Sequence, residues 1–431
     1  MRFDFFRRQQ NDTAAPAAAA REPDTSGYVT YTQLLDPDRR VMGYRMAWRP
    51  AVPEQGADAV SMFKPLAACV GRHLNDPRTG WALGRTVLFF DVDADSIVTG
   101  ELQMLPPENV VLCAGPELLG HEELRPILLF LREQGFGFML CGAEALPEDE
   151  ELRGLVTHLD VGAGEPEKVR RLRAAMEPGR PPVHFIATRV GDWEDFDACA
   201  SQQIEAFVEG EVLVPDDADT SGKTLQPEAM AIVQLMQMIQ RNDALRDIEA
   251  VLKRDAALTY RLLRYVNSPA IGAGVEIHSL RHAVSMLGYA PLLRWLSVLL
   301  ATSNAKASAP YMTKKAILRG RFVELMGQGM LPASDADNLF VVGMFSLIDR
   351  LLGVPMQEVV RKVQLNEAVQ QAILSREGAY APFLMLAESC EVDGARAASL
   401  AESLFLDAEQ VNAAHLAALA WAQDLAPIIS D

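Results

Sequence analysis

The strongest constraint on this chain is a change of hydrophobic period near residue 215. Before it, short apolar, partly β-branched runs such as "YVTYTQLL", "TVLFFDV", "NVVLCAG", "FGFMLCG", "LVTHLDV" and "VHFIAT" alternate with polar or helical stretches. Each is bounded by Gly, Pro or Asp, the pattern of strands joined by helices in a mainly parallel sheet, open or closed. "DPDRR" (36–40) reads differently, as the turn of an antiparallel hairpin. After residue 227 strand signals nearly vanish. "PEAMAIVQLMQMIQ" puts Ile232, Leu235, Met236 and Ile239 on one helical face, and the next stretches repeat that spacing through Ile248, Val251, Leu252, Leu258, Leu262 and Val266. Period counting predicts an all-α domain of roughly ten helices. The expected organisation is a disordered tail over 1–26, an α/β domain over 27–212, an acidic, turn-rich linker over 213–226 and an all-α domain over 227–431.

Charge and cysteine usage narrow the function. The chain of 431 residues carries 40 Lys and Arg against 58 Asp and Glu, a net charge of −18. Such a surface repels phosphate and argues against non-specific nucleic-acid binding by the whole molecule. Between Lys253 and Arg321, however, eleven Lys and Arg face only Asp255 and Glu276, so this segment is at +9 and the remainder at −27. It either meets acidic groups within the molecule or docks an acidic protein, a nucleotide or RNA, with RNA ranked last. Five cysteines, odd in number and without a C-x-x-C pair, fit a reducing, cytoplasmic compartment. "RFDFFRR" near the N-terminus could touch a partner or a membrane surface but is too short to anchor. The longest apolar segment, "PLLRWLSVLLAT", falls short of the ~20 residues that a membrane span needs and is expected to be a core helix.

The helical half resembles the HDOD domain, a bacterial all-α signalling module. The resemblance rests on "LKRDAALTYRLLRYVNSPAIG" followed by "IHSLRHAVSMLGYAPLLRWLSVLL". HDOD domains are related to HD phosphohydrolases but lack their His-Asp metal ligands. Here "GMFSLID" places Ser346 and Leu347 at those positions. The signature residues Asp255, Arg261, Arg264, Asn267 and Ser268, together with Arg281, are the candidates in this half. Asp255 and Asn267 are read as structural, and Arg261 and Arg264, i and i+3 on one helix, as contact residues. His278 and His282 have metal-ligand spacing, but Ser279 reads as a helix N-cap that leaves His278 outside the helix.

With that domain in place, the first half resembles the EAL domain, a TIM-barrel cyclic di-GMP phosphodiesterase, here degenerate and, being shorter than the ~250 residues typical of the fold, expected to be incomplete or trimmed. The resemblance starts from "VMGYRMAWRP" (41–50), which follows a Gly-x-Glu-x-x-x-Arg motif except that Arg45 replaces the metal-binding glutamate while Arg49 is retained. It further implies that Asp91 replaces an asparagine, Cys113 a glutamate, Cys141 and Gly142 paired aspartates, His158 a lysine and Thr188 a glutamate, with Asp160 kept. A guanidinium accepts no hydrogen bond and cannot ligate a cation, and two-metal hydrolysis needs anionic ligands. No catalytic residue, metal or cofactor is therefore expected. Cys113, Cys141, His158 and Asp91 could form a soft-metal or redox site, but small apolar cysteines filling space are the preferred reading. The function expected is that of a non-enzymatic signalling scaffold binding protein partners through the basic helical surface, within networks of cyclic di-GMP. Two alternatives are a receptor in which Arg45 and Arg49 clamp the phosphates of cyclic di-GMP, and residual hydrolysis through Asp91, Asp93, Asp95 or Asp160.

Overall fold

The computed structural model describes residues 26–52, 59–77, 81–142, 144–176, 182–208, 225, 227–267, 277–303, 310–392 and 394–429. Apart from Ser26 and Leu225, the segments expected as tail and linker lie outside them. Eight strands close a barrel in sequence order: β1 (Gly27–Leu35), β2 (Val41–Pro50), β3 (Val87–Asp91), β4 (Val110–Ala114), β5 (Gly137–Leu140), β6 (His158–Asp160), β7 (His184–Ala187) and β8 (Glu205–Val208). β1 is antiparallel to both its neighbours and every other pair is parallel. The predicted hairpin joins β1 to β2, with Asp36 Oδ1 accepting from Arg40 N at 2.8 Å and Arg39 left-handed at φ 62°.

Of the two expectations, incomplete or trimmed, the first is corrected and the second fits: the barrel is closed. A hairpin replaces one helical crossover, and the β3–β4 connection holds only the short helix Ala94–Ile97 and two 3-10 turns, Gly100–Met104 and Pro107–Asn109. β8 was not foreseen, because "EAFV" is too short to show alternation. Along the strands, alternate side chains point opposite ways. Leu34, Phe89, Val111, Cys113, Met139, Ile186 and Phe207 meet inside the barrel as a separate cluster, while Tyr44, Met46, Phe90, Leu112, Phe138 and Leu159 join the main core outside it. The barrel centre is thus packed.

The helical half has thirteen helices among the described residues, more than period counting predicts. "DIEAVLKRDAALTYRLLRYV" is two helices, because Asp255 Oδ1 accepts from Ala257 N and Leu258 N and starts a new one. "ADNLFVVGMFSLIDRLLG" breaks at Ser346–Leu347. "PLLRWLSVLLAT" falls in the helix Tyr289–Thr302, where Leu292, Trp295, Leu296 and Leu300 are buried. Among the described residues no single helix is long and apolar enough to cross a membrane.

The halves share an interface built on one strand edge. β1 meets β8 only through Gln33–Leu35, leaving its outer residues unpaired on that side. An unpaired edge is a template for wrong pairing, and the helix Ala408–Ile429 occupies it. Asn412 Oδ1 accepts from Val29 N at 2.8 Å, Asn412 Nδ2 donates to Gly27 O at 2.9 Å, and His415 Nδ1 lies 3.1 Å from Val29 O. His415 also stacks on Phe322 at 4.5 Å. Its burial pushes the imidazole pKa down to about 4, against the opposing pull of Glu391 and the Val29 carbonyl.

This predicts a pH dependence. From pH 6.5 down to about 4 the unfolded chain takes up a proton that folded His415 refuses. The stability contribution is therefore complete above pH 6.5 and is lost as the pH falls through that window, by up to about 1.4 kcal/mol per pH unit. Unfolding curves recorded across the window should show the slope, and His415→Gln should reduce it by the His415 share, leaving the part that buried His158 contributes. An unchanged slope in the variant would remove His415 as the cause.

Candidate functional site

Inward-facing residues at the C-terminal ends of the parallel strands form the mouth where barrel enzymes carry their sites. Arg45, Asp91, Cys113, Cys141, Asp160 and Thr188 all belong to that mouth. Arg45 lies opposite Phe89 on β3, so its side chain reaches along the strand to Asp91. The pair is bidentate, with Nη2 to Oδ1 at 2.6 Å and Nε to Oδ2 at 3.2 Å, and the guanidinium stands 5.8 Å from the Phe207 ring. Burial disfavours the charge, but the hydrogen bonds and charge of Asp91 outweigh it and raise the pKa of Arg45.

Cys113 is buried, and its thiol is held well above the usual range by a hydrogen bond with Cys141 and by burial. Asp160 is taken up by its neighbours: Oδ1 accepts from Thr188 Oγ1 at 2.6 Å and from Gly162 N at 2.7 Å, and Oδ2 from Gly142 N at 3.3 Å. Gly142 is left-handed at φ 68°, a conformation that costs glycine little. Asp93 caps the next turn, accepting from Ser96 N and Ser96 Oγ. Among the described residues no three His, Cys, Asp or Glu gather as a metal-donor set.

Two of the alternatives raised by the sequence lose their geometry. His158 is not grouped with the cysteines and Asp91. It begins β6, two residues before Asp160, stacks on His184 at 5.1 Å and meets the edge of Phe89 at 5.4 Å. Its Nδ1 is 2.8 Å from Thr157 Oγ1, and burial followed by the nearby His184 pushes its pKa down to about 3. Arg49 does not join Arg45 in a clamp. Its Nη1 donates to Val392 O of the helical half, beside Gly394, where a Cβ would come within 2.8 Å of Arg49 Cγ. The outer part of β2 has left the barrel mouth and entered the interface between halves.

In the helical half, Asp255 is the cap described above. Asn267 closes a loop, donating from Nδ2 to Leu263 O and Ile277 O and accepting at Oδ1 from Ile277 N at 2.7 Å. Arg261 is exposed and Arg264 half-buried, while Ser268 lies outside the described residues. Arg281 reaches Glu249 Oε2 at 3.3 Å. Ser279 caps its helix by accepting from His282 N, leaving His278 outside it.

Much of the basic segment is consumed within its own domain. Arg294 and Arg321 flank the buried Glu324, and Lys315 and Arg319 hold Glu391. Arg319 binds Glu391 through two 2.9 Å bonds and donates to Ser346 Oγ at 2.9 Å. The serine in the former His-Asp position thus serves an internal ion cluster. Of that segment Lys253, Arg254, Arg261 and Arg281 are exposed, Lys253 at 2.6 Å and Arg281 at 3.3 Å both pairing with Glu249. Arg246, just before the segment, is exposed too, and Tyr260 is 65% and Met286 40% exposed beside them in sequence. Sequence reasoning missed Asn412 and the role of His415. Their signal was two polar residues, i and i+3, in the otherwise apolar run "VNAAHLAALAW".

A closed eight-stranded barrel joined to a helical domain is the class of architecture that this fold defines. Residues 225–377 match the family profile of the HDOD domain. Cyclic di-GMP phosphodiesterase CdgJ of Vibrio cholerae is 23% identical over 93% of this chain and 94% of its own length. Uncharacterized protein YuxH of Bacillus subtilis is 24% identical over 74% of this chain and 79% of its own. Among solved structures, EAL enzyme Bd1971, in a form bound to cAMP and cyclic di-GMP, aligns with TM-score 0.33 and 8% identity over 42% of this chain and 60% of that chain.

Proposed function

We propose that this protein is a non-enzymatic member of a cyclic di-GMP signalling network, residing in the cytoplasm and acting by binding protein partners. The observation that carries the reading is the Arg45–Asp91 pair. A fixed positive charge stands where a hydrolase of this type would ligate cations, and it satisfies the nearest carboxylate. Two more of the carboxylates that residual hydrolysis would recruit are engaged, Asp160 by Gly162 and Thr188 and Asp93 by Ser96, while Asp95 is exposed. The receptor alternative keeps Arg45 alone, since Arg49 serves Val392.

The partner surface is the face carrying Arg246, Lys253, Arg254, Arg261 and Arg281. Exposed Tyr260 and Met286 add the aromatic and apolar anchors that, with arginine, dominate protein interfaces. An acidic protein fits it best. Incubation with cyclic di-GMP and Mg²⁺ or Mn²⁺ should give no linear product, and Arg45→Glu alone should not restore turnover, because Cys113 and Cys141 still offer no carboxylate. Turnover by the unmodified chain would sink the reading. Micromolar binding of cyclic di-GMP that Arg45→Ala abolishes would favour the receptor instead.

A further inference from the structure

We propose that the N-terminal segment "MRFDFFRR" (1–8) docks on an apolar groove of the helical domain, on the side of the terminal helix away from the barrel. The groove lies between the helices Pro310–Gly327 and Ala408–Ile429 and encloses about 360 Å³. Its walls are Leu325, Met326 and Leu406 with Gln328 and Gln410 at polar edges, and its floor is opened by Ala413, Ala414 and Ala417. Three alanines at these spacings leave a shallow trough on one helical face, opposite Asn412, which points to β1. Beside it, Phe405 is 93% exposed and held left-handed at φ 55°, and Met330 is 40% exposed. Phe405 and Met330 add exposed apolar surface on the turns next to these helices.

Chain path and charge choose the occupant. The N-terminal residues enter the fold at Ser26, and Gly27 O is bonded to Asn412 on the same helix that carries the alanines. From Arg8 to Ser26 an extended chain spans up to about 60 Å, against a helix diameter of about 10–12 Å that it must pass round. The segment offers Phe3, Phe5 and Phe6 as apolar anchors with Arg2, Arg7 and Arg8 around them. Exposed Glu402, Asp407 and Glu409 flank the Phe405–Leu406 turn in sequence, an acidic rim for those arginines. Aromatic anchors in an apolar trough with a complementary charged rim is the anatomy of a specific contact.

The test is photo-cross-linking in the full chain with Phe5→p-benzoylphenylalanine. The expected result is an intramolecular product, independent of protein concentration, mapping to Leu325, Leu406 or Ala413. Filling the trough by Ala417→Trp should lower its yield by about tenfold or more, the loss for ~1.4 kcal/mol of docking energy. Circular dichroism of the same variant checks that the helices persist, and Ala413→Gln supplies a second, smaller block. Cross-links between two copies, cross-links to added anionic vesicles in preference to the groove, or a yield unmoved by both blocks would overturn the proposal.

Discussion

Replacing Arg319 by Met is expected to cost about 3–5 kcal/mol of folding stability, the usual penalty for removing one partner of a buried ion pair. Arg319 is only 5% exposed, and burial alone would disfavour its charge, yet Glu391 and then Glu388 raise its pKa above the ordinary value. Glu391 is the mirror case: burial favours its neutral form, but Arg319 and Lys315 outweigh this and lower its pKa. Without the guanidinium, Glu391 keeps only Lys315 at 2.9 Å, and Ser346 loses the donor that positions the break between two helices. Denaturant unfolding of Arg319→Met measures the loss. Arg319→Met combined with Glu391→Leu should recover part of it, since an apolar replacement of a buried pair is often neutral or better, with Lys315, which then loses its partner, limiting the gain. If the double variant is no more stable than the single one, packing rather than charge holds this site.

Phe89→Ala is the second large effect, about 3–5 kcal/mol for a buried aromatic leaving a cavity. Phe89 is fully buried at the barrel centre, edge-on to Phe207 at 5.2 Å and to His158 at 5.4 Å. Its loss admits water to the ring that its bulk keeps dry. The His158 pKa should therefore rise from about 3 toward the ordinary 6.5, a shift that imidazole NMR titration reads directly. A stability loss with an unmoved His158 titration would mean that the barrel collapses around the gap, leaving no opening.

Both large effects arise where the barrel and the helical half are packed solid. In the barrel a guanidinium and apolar side chains occupy the mouth and centre. In the helical half, Ser346 accepts from a guanidinium that is itself neutralised by glutamate. In each case an arginine supplies the positive charge internally, and its partner carboxylate is no longer free.

The amino-acid sequence by itself determined the two halves, the hairpin between β1 and β2, the caps at Asp255 and Ser279, and the loss of acceptors at Arg45, Cys113 and Cys141. These are local matters of period, turn chemistry and the donor inventory of each side chain. Closure of the barrel was not legible, because β8 is four residues long and earns its place only by pairing with β7 and β1. Nor were the partners of charged groups. Arg49 could have been a companion of Arg45, and the eleven cations between 253 and 321 could have met acidic groups inside the molecule or formed one docking surface. Tertiary packing sent Arg49 to Val392 and took Arg294, Lys315, Arg319 and Arg321 inside. A side chain's charge is written in the sequence, but the carboxylate or carbonyl that compensates it comes from residues tens or hundreds of positions away, and only the fold brings them together.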